Sequence, residues 1–128
     1  MKNETDSLKT IKDKIKAFIN ERDWEQFHSP KNLAMSIAIE SAELMEHFQW
    51  THTIDQAEGF LKDKSKRTEI EDELADIAIY LLDFCNLYGI DFEKVILAKL
   101  KKTAQKYPAK LVKGSIKKYT EYKMAKRK

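Results

Sequence analysis

Residues 70–91 read IEDELADIAIYLLDFCNLYGID, and residues 39–50 upstream read IESAELMEHFQW. Both stretches repeat their apolar residues with helical period, and both carry acidic residues three apart: Glu40 and Glu43 in one, Glu73 and Asp76 in the other. With about 100° between successive residues, Leu33, Ile37, Leu44 and Phe48 share one stripe, and Glu40 lies on its edge, aimed toward the core. In the later stretch Ile70, Leu74, Ile77, Leu81 and Phe84 form the stripe, and Glu73, Asp76 and Tyr80 share its shoulder. Two such helices face to face predict an all-α bundle with a carboxylate cluster built between them.

An ionised carboxylate withdrawn from water costs several kcal/mol unless it is paired or metal-bound. Four of them converging could not all stay charged without a cation. An all-oxygen ligand set favours Mg²⁺, with Mn²⁺ as substitute, over zinc, and a Mg²⁺ site of this kind completes its shell with water and substrate phosphate. Glu40, Glu43, Glu73 and Asp76 are therefore the candidate metal ligands. A di-iron centre does not fit, because that pattern needs His three residues after Glu, and the residue three after Glu43 is Glu46. His47 falls on the site side as a bystander, and His28 reads as support for the loop around Trp24. Glu46, Glu69, Asp72 and Glu71 read as solvated.

The 128 residues hold three Gly and two Pro, with 42% hydrophobic and 35% charged side chains, which describes a helical globular chain. Cys85 is the single cysteine and reads as a small core residue in a reducing compartment. The first residues lack the apolar core of a signal peptide and no run reaches membrane-spanning length, so the expected location is the cytoplasm, with no membrane partner. The net charge of +3 hides an asymmetry: residues 1–98 carry 12 basic and 20 acidic groups, residues 99–128 carry 12 basic and one acidic. Such a basic segment, with Tyr107, Tyr119 and Tyr122 interleaved, suits phosphates or nucleic acid, or is simply solvated.

Four helices are expected. Asp6 would cap the first, through about Asn20, burying Leu8, Ile11, Ile15, Phe18 and Ile19; Ser29 and Pro30 would open the second, to about Gln49. The connection 51–60 has room for one short helical turn. Ser65 would cap the third, ended at Tyr88 by Gly89, and Asp91 the fourth, which would bury Phe92, Val95, Ile96 and Leu100 and end near Lys106 before Pro108.

Read together, ERDWEQFHSPKNL at 21–33, the two acidic stretches, Lys106-Tyr107-Pro108 and KGSIKKYTE at 113–121 resemble the MazG-like all-α nucleoside triphosphate pyrophosphohydrolases, and among them the dCTP pyrophosphatase group, over residues 8–122. The resemblance implies one domain over residues 1–128 with a basic tail from about 123. It implies Mg²⁺-dependent cleavage between the α and β phosphates of a nucleoside triphosphate, dCTP or a modified dCTP, to monophosphate and pyrophosphate, in nucleotide-pool cleansing. Trp24, Trp50 and Tyr80 would surround the base, and Lys99, Lys106 and Tyr107 would reach the triphosphate. A homo-oligomer, dimer or tetramer, is implied as well. The sequence departs from the family pattern at Thr103, where asparagine is frequent, and at Ile15, where vertebrate dCTP enzymes carry histidine; base selectivity stays open. Glu43, further from the core stripe than Glu40, is the candidate general base. Two other classes compete: a helical RNA- or single-strand-DNA-binding module using the basic C-terminal segment, and a helical oligomer whose carboxylates form structural ion pairs.

Overall fold

The computed structural model describes residues 7–116, and Asp6, Tyr119, Tyr122 and the tail from about 123 lie outside them. The helices are α1 (Leu8–Glu21), α2 (Pro30–Glu46), α3 (Ile54–Lys62), α4 (Lys64–Leu87), α5 (Phe92–Lys106) and α6 (Ala109–Val112), with a 3₁₀ turn at Glu25–Phe27. There is no strand among the described residues. The fold is all-α.

Each boundary has a local cause. Ser7 caps α1, its hydroxyl accepting from the Thr10 amide. Ser29 accepts from the Asn32 amide and Pro30 occupies the first turn of α2, as the sequence indicates. The helix stops at Glu46, three residues short of the expected end, and residues 47–50 continue as turns. The connection expected to hold one turn is instead the nine-residue α3. Its start is a capping box, Thr53-x-x-Gln56: Thr53 accepts from the Gln56 amide at 3.2 Å, and the Gln56 side chain accepts from the His52 amide at 2.7 Å. Asp63 rather than Ser65 caps α4, accepting from the Lys66 amide at 3.0 Å, so α4 begins directly after α3 ends. At the far end Gly89 adopts φ +63° and the Ile90 amide bonds the Cys85 carbonyl, the six-to-one closure for which a glycine is suited. Asp91 caps α5 through the Lys94 amide.

The chain divides into two compact units, one ending at Ile90 and the other beginning at Asp91. In the first, α4 is the central element: α2 packs most extensively on it, and α1 and α3 also lie against it. The innermost residues are Ile15, Ile19, Leu33, Ile70, Leu82 and Cys85, joined by one acid, Asp83. Truncating Leu33, 1% exposed, to Ala would cost about 2–5 kcal/mol. Several residues expected inside are not: Ile11, Phe18 and Leu74 are exposed, as are Val95, Ile96 and Leu100 of the second unit. Their stripes exist, but these side chains stand exposed among the described residues.

Candidate metal and nucleotide site

The packing of α2 on α4 brings the two acid pairs together. One carboxylate oxygen each from Glu40, Glu73 and Asp76 can be chosen so that all three lie within 4.8 Å of one another. Glu43, one turn along α2 from Glu40, is close enough to act on both carboxylates, raising Glu40 and Glu73 alike. Glu40 and Glu73 are half-buried and Asp76 is exposed.

The electrostatics are those of charges gathered without compensation. Burial pushes Glu40 from an ordinary 4.5 up to about 7, and Glu43, Asp76 and Glu73 all push it in the same direction. Burial also raises Glu73, assisted by Glu43 and opposed by His47, whose Nε2 stands 3.6 Å from Glu73 Oε1. Glu40 Oε2 and Glu73 Oε2 are both buried with no hydrogen-bond donor against them. Orphaned oxygens of this kind are rare and expensive in a protein interior. Hard oxygen donors converging on one point, too crowded with negative charge to stay ionised alone, fit a Mg²⁺- or Mn²⁺-sized dication.

Beside the cluster opens a cleft of about 450 Å³ lined by Glu43, Glu46, His47, Gln49, Lys66 and Glu73. Glu43 and Glu73 thus face both the cluster and the open space. Lys66 was not legible as a site residue: it stands in the first turn of α4, and only the packing of α4 against the end of α2 turns it to the cleft. Its ammonium also lies 3.6 Å from Glu69 and 5.5 Å from the Phe60 ring. Glu71, read as solvated, is exposed and pairs with Arg67 at 2.6 Å.

The aromatic candidates are placed differently from one another. Trp50 is 79% exposed, the last residue of the turn that follows α2, so it is no core residue of this chain. Trp24 is 42% exposed and meets Phe18 edge-on at 5.7 Å, with the Arg22 guanidinium 3.7 Å from the Phe18 ring centroid. Phe18 also lines an apolar groove of about 320 Å³ with Ile11, Lys14, Ile15 and Ile79. Tyr80, half-buried, follows Ile79 on α4, one turn beyond Asp76. Lys99, Lys106 and Tyr107 belong to the second unit: Lys99 and Lys106 are exposed on α5, and Tyr107 is half-buried at its end.

A family model described as the MazG-like family matches residues 35–122, a span that runs through both compact units. Human dCTP pyrophosphatase 1 is 38% identical over 105 residues and the rat protein 36% over 104, in each case 81% of this chain and 61% of the relative. The chain therefore spans less than two thirds of the length of these relatives. A crystal structure of a pyrophosphatase from Archaeoglobus fulgidus superposes with a TM-score of 0.75 at 40% identity, covering 79% of this chain and 92% of that one.

Proposed function

The chain belongs to the MazG-like family, and we propose that it is a nucleoside triphosphate pyrophosphohydrolase that cleaves dCTP, or a modified dCTP, between the α and β phosphates. The observation that carries this reading is the convergence of Glu40, Glu73 and Asp76 next to an open cleft, with two carboxylate oxygens buried and unpartnered. The relatives that are dCTP pyrophosphatases, and the neighbour that is a pyrophosphatase, support it. A nucleic-acid-binding module would have no use for buried carboxylates on α2.

Glu40, Glu43, Glu73 and Asp76 would hold Mg²⁺, or Mn²⁺ in its place. Bound there, the ion supplies the positive charge that a triphosphate needs before a nucleophile can approach its α-phosphorus. The other contributions come from side chains of this chain. Glu43, at the mouth of the cleft, is placed to accept the proton of the attacking water. Lys66, at the cleft, is the cation offered to the departing pyrophosphate; the triphosphate role of Lys99, Lys106 and Tyr107 rests on the family resemblance alone. Trp24, Trp50 and Tyr80 present flat faces for the base; stacking of this sort contributes about 1–3 kcal/mol per base in single-strand binders.

Exposed Met35, Ile39 and Met45 on α2, with Trp50, Ile54 and Leu74, leave large apolar side chains open to solvent, which supports assembly as a homo-oligomer, dimer or tetramer. No helix among the described residues is long and apolar enough to cross a membrane, and the proposed location is the cytoplasm, where the substrate pool is. The test is to incubate the purified protein with Mg²⁺ and each common and 5-substituted triphosphate, then separate the products. Monophosphate with pyrophosphate is expected, fastest from a cytosine nucleotide; diphosphate with orthophosphate would contradict the proposed bond.

A further inference from the structure

Seven residues beyond Asp76, α4 carries a second acid that the proposed chemistry does not use. Asp83 is 2% exposed, flanked by the buried Leu82 and Cys85, at a position where packing alone would call for an apolar residue. Its Oδ2 stands 2.6 Å from Nδ1 of His28, a residue 55 positions earlier, an ion-pair distance at which the two buried atoms meet by charge rather than through a well-aligned hydrogen bond. The cavity adjoining Asp83, lined also by Ile19, Glu25 and Asn86, is only about 10 Å³, room for roughly one water. Burial raises the Asp83 pKa and His28 works against that rise, with Glu25 adding to it. The histidine is what makes the buried carboxylate tolerable.

His28 ends the segment 23–29 that joins α1 to α2 and carries Trp24. Its other supports are short-range: Asp23 at φ +53° is steadied by Gln26, which donates to its carbonyl and carboxylate, and Asn32 donates to the Phe27 carbonyl at 3.0 Å. Among the described residues, the ion pair and hydrogen bond that tie the segment to α4 and its C-cap are both at His28, to Asp83 and to the Tyr88 hydroxyl, which reaches the His28 carbonyl at 3.4 Å. Trp24 is thereby referred to the same helix that carries Glu73 and Asp76.

We infer that Asp83 is a positioning residue for nucleotide recognition: through His28 it fixes the 23–29 segment to α4, and so fixes where Trp24 stands relative to the carboxylate cluster. The inference rests on the proposed function for what Trp24 recognises, and on the structure alone for what holds it. An acid buried merely to fill α4 would leave Trp24 where it is when replaced; an acid that holds the segment would not.

The experiment uses the full chain. In a Trp50→Phe background, Trp24 is the sole tryptophan, and acrylamide quenching of the nucleotide-free protein reports its freedom. Asp83→Ala should raise the quenching constant clearly. With Trp50 intact, Asp83→Ala should raise KM for dCTP on the order of tenfold while kcat stays within about twofold, and Mg²⁺ dependence should not move. Asp83→Asn, which keeps the shape and one acceptor, should bring both constants back toward their original values, and His28→Ala, which removes the other half of the contact, should reproduce both effects and serves if Asp83→Ala fails to fold. Quenching and KM both unchanged would overturn the inference. So would equal losses in kcat and Mg²⁺ affinity, which would mark a general structural role. Failure of the functional reading looks different: the unaltered protein would hydrolyse no triphosphate.

Discussion

Two acidic corners on one helix have opposite chemistry. At Asp83 a buried carboxylate has its counter-group built in: His28 lies 2.6 Å away and opposes the effect of burial. Between Glu73, nearly three turns earlier on α4, and Glu40 on the packed α2, buried oxygens meet other carboxylates, and every group acting on Glu40 drives its pKa further up. A protein spends burial on an acid for one of two returns. The paired corner obtains position; the unpaired corner obtains a site that a cation can complete. Carboxylates withdrawn from water on one helix are thus told apart by what surrounds them.

The sharpest way to break this contrast is through turnover. Glu43→Gln, which removes the proposed base from the unpaired corner, should lower kcat by about 10²–10⁴-fold while Mn²⁺ affinity is largely kept; Asp83→Asn should leave kcat near its original value. Pyrophosphate release under saturating Mg²⁺ reads both. Equal loss of metal binding in Glu43→Gln would refute the separation of base from ligand.

Stability should change with opposite sign at the two corners. In chelator at pH 8, Glu40→Gln removes a charge that has no partner and should raise the melting temperature, whereas Asp83→Asn breaks the buried ion pair with His28 and should cost about 1–3 kcal/mol. Thermal unfolding of the two variants side by side decides it. Destabilisation by both would mean that the Glu40 cluster is a satisfied structural network after all.

The two acidic stretches and their apolar stripes identify the all-α class and point Glu40 inward, because helical period is a local property of the chain. Caps were legible where Ser29-Pro30 and Asp91 stood unopposed. At α4 two candidates competed, and Asp63 prevailed over Ser65 because α3 runs on to Lys62 and leaves Asp63 as the shared hinge residue. The helix α3 was legible in principle through its Thr53-x-x-Gln56 box, yet its nine residues carry too short an apolar pattern to stand out. Val95, Ile96 and Leu100 misled for a different reason: periodicity marks an apolar face without saying which surface covers it. His28 could be given a supporting role for the Trp24 loop, but its partner could not be found, since 55 residues separate it from Asp83 and nothing local marks Asp83 as other than an interruption in an apolar run.

A pH series sharpens the contrast further. Glu40 has a native pKa of about 7 against an ordinary 4.5, so between those values the native state keeps a proton that the unfolded chain has lost. Its stabilising contribution is complete below about 4.5 and is lost as pH rises through about 7. Melting temperatures in chelator should therefore carry a falling component between pH 5 and 8, one that Glu40→Gln removes and Mg²⁺ flattens. A series indifferent to Glu40→Gln would contradict the assignment of the raised proton.

The smallest effect serves as calibration. Asp63→Ala removes the α4 cap far from both corners and should cost about 1 kcal/mol in unfolding free energy without altering Mn²⁺ affinity or KM. A change in either constant would show that general loosening of α4 suffices to disturb the site.

The central claim, that the α2–α4 carboxylates form a protonated cluster completed by a divalent ion, is tested most directly by Mn²⁺ titration calorimetry at pH 6.5 in two buffers of different ionisation enthalpy. Saturable uptake with proton release, both lost in Glu73→Ala, is the predicted result. No heat beyond dilution, or uptake with no buffer dependence, would contradict it.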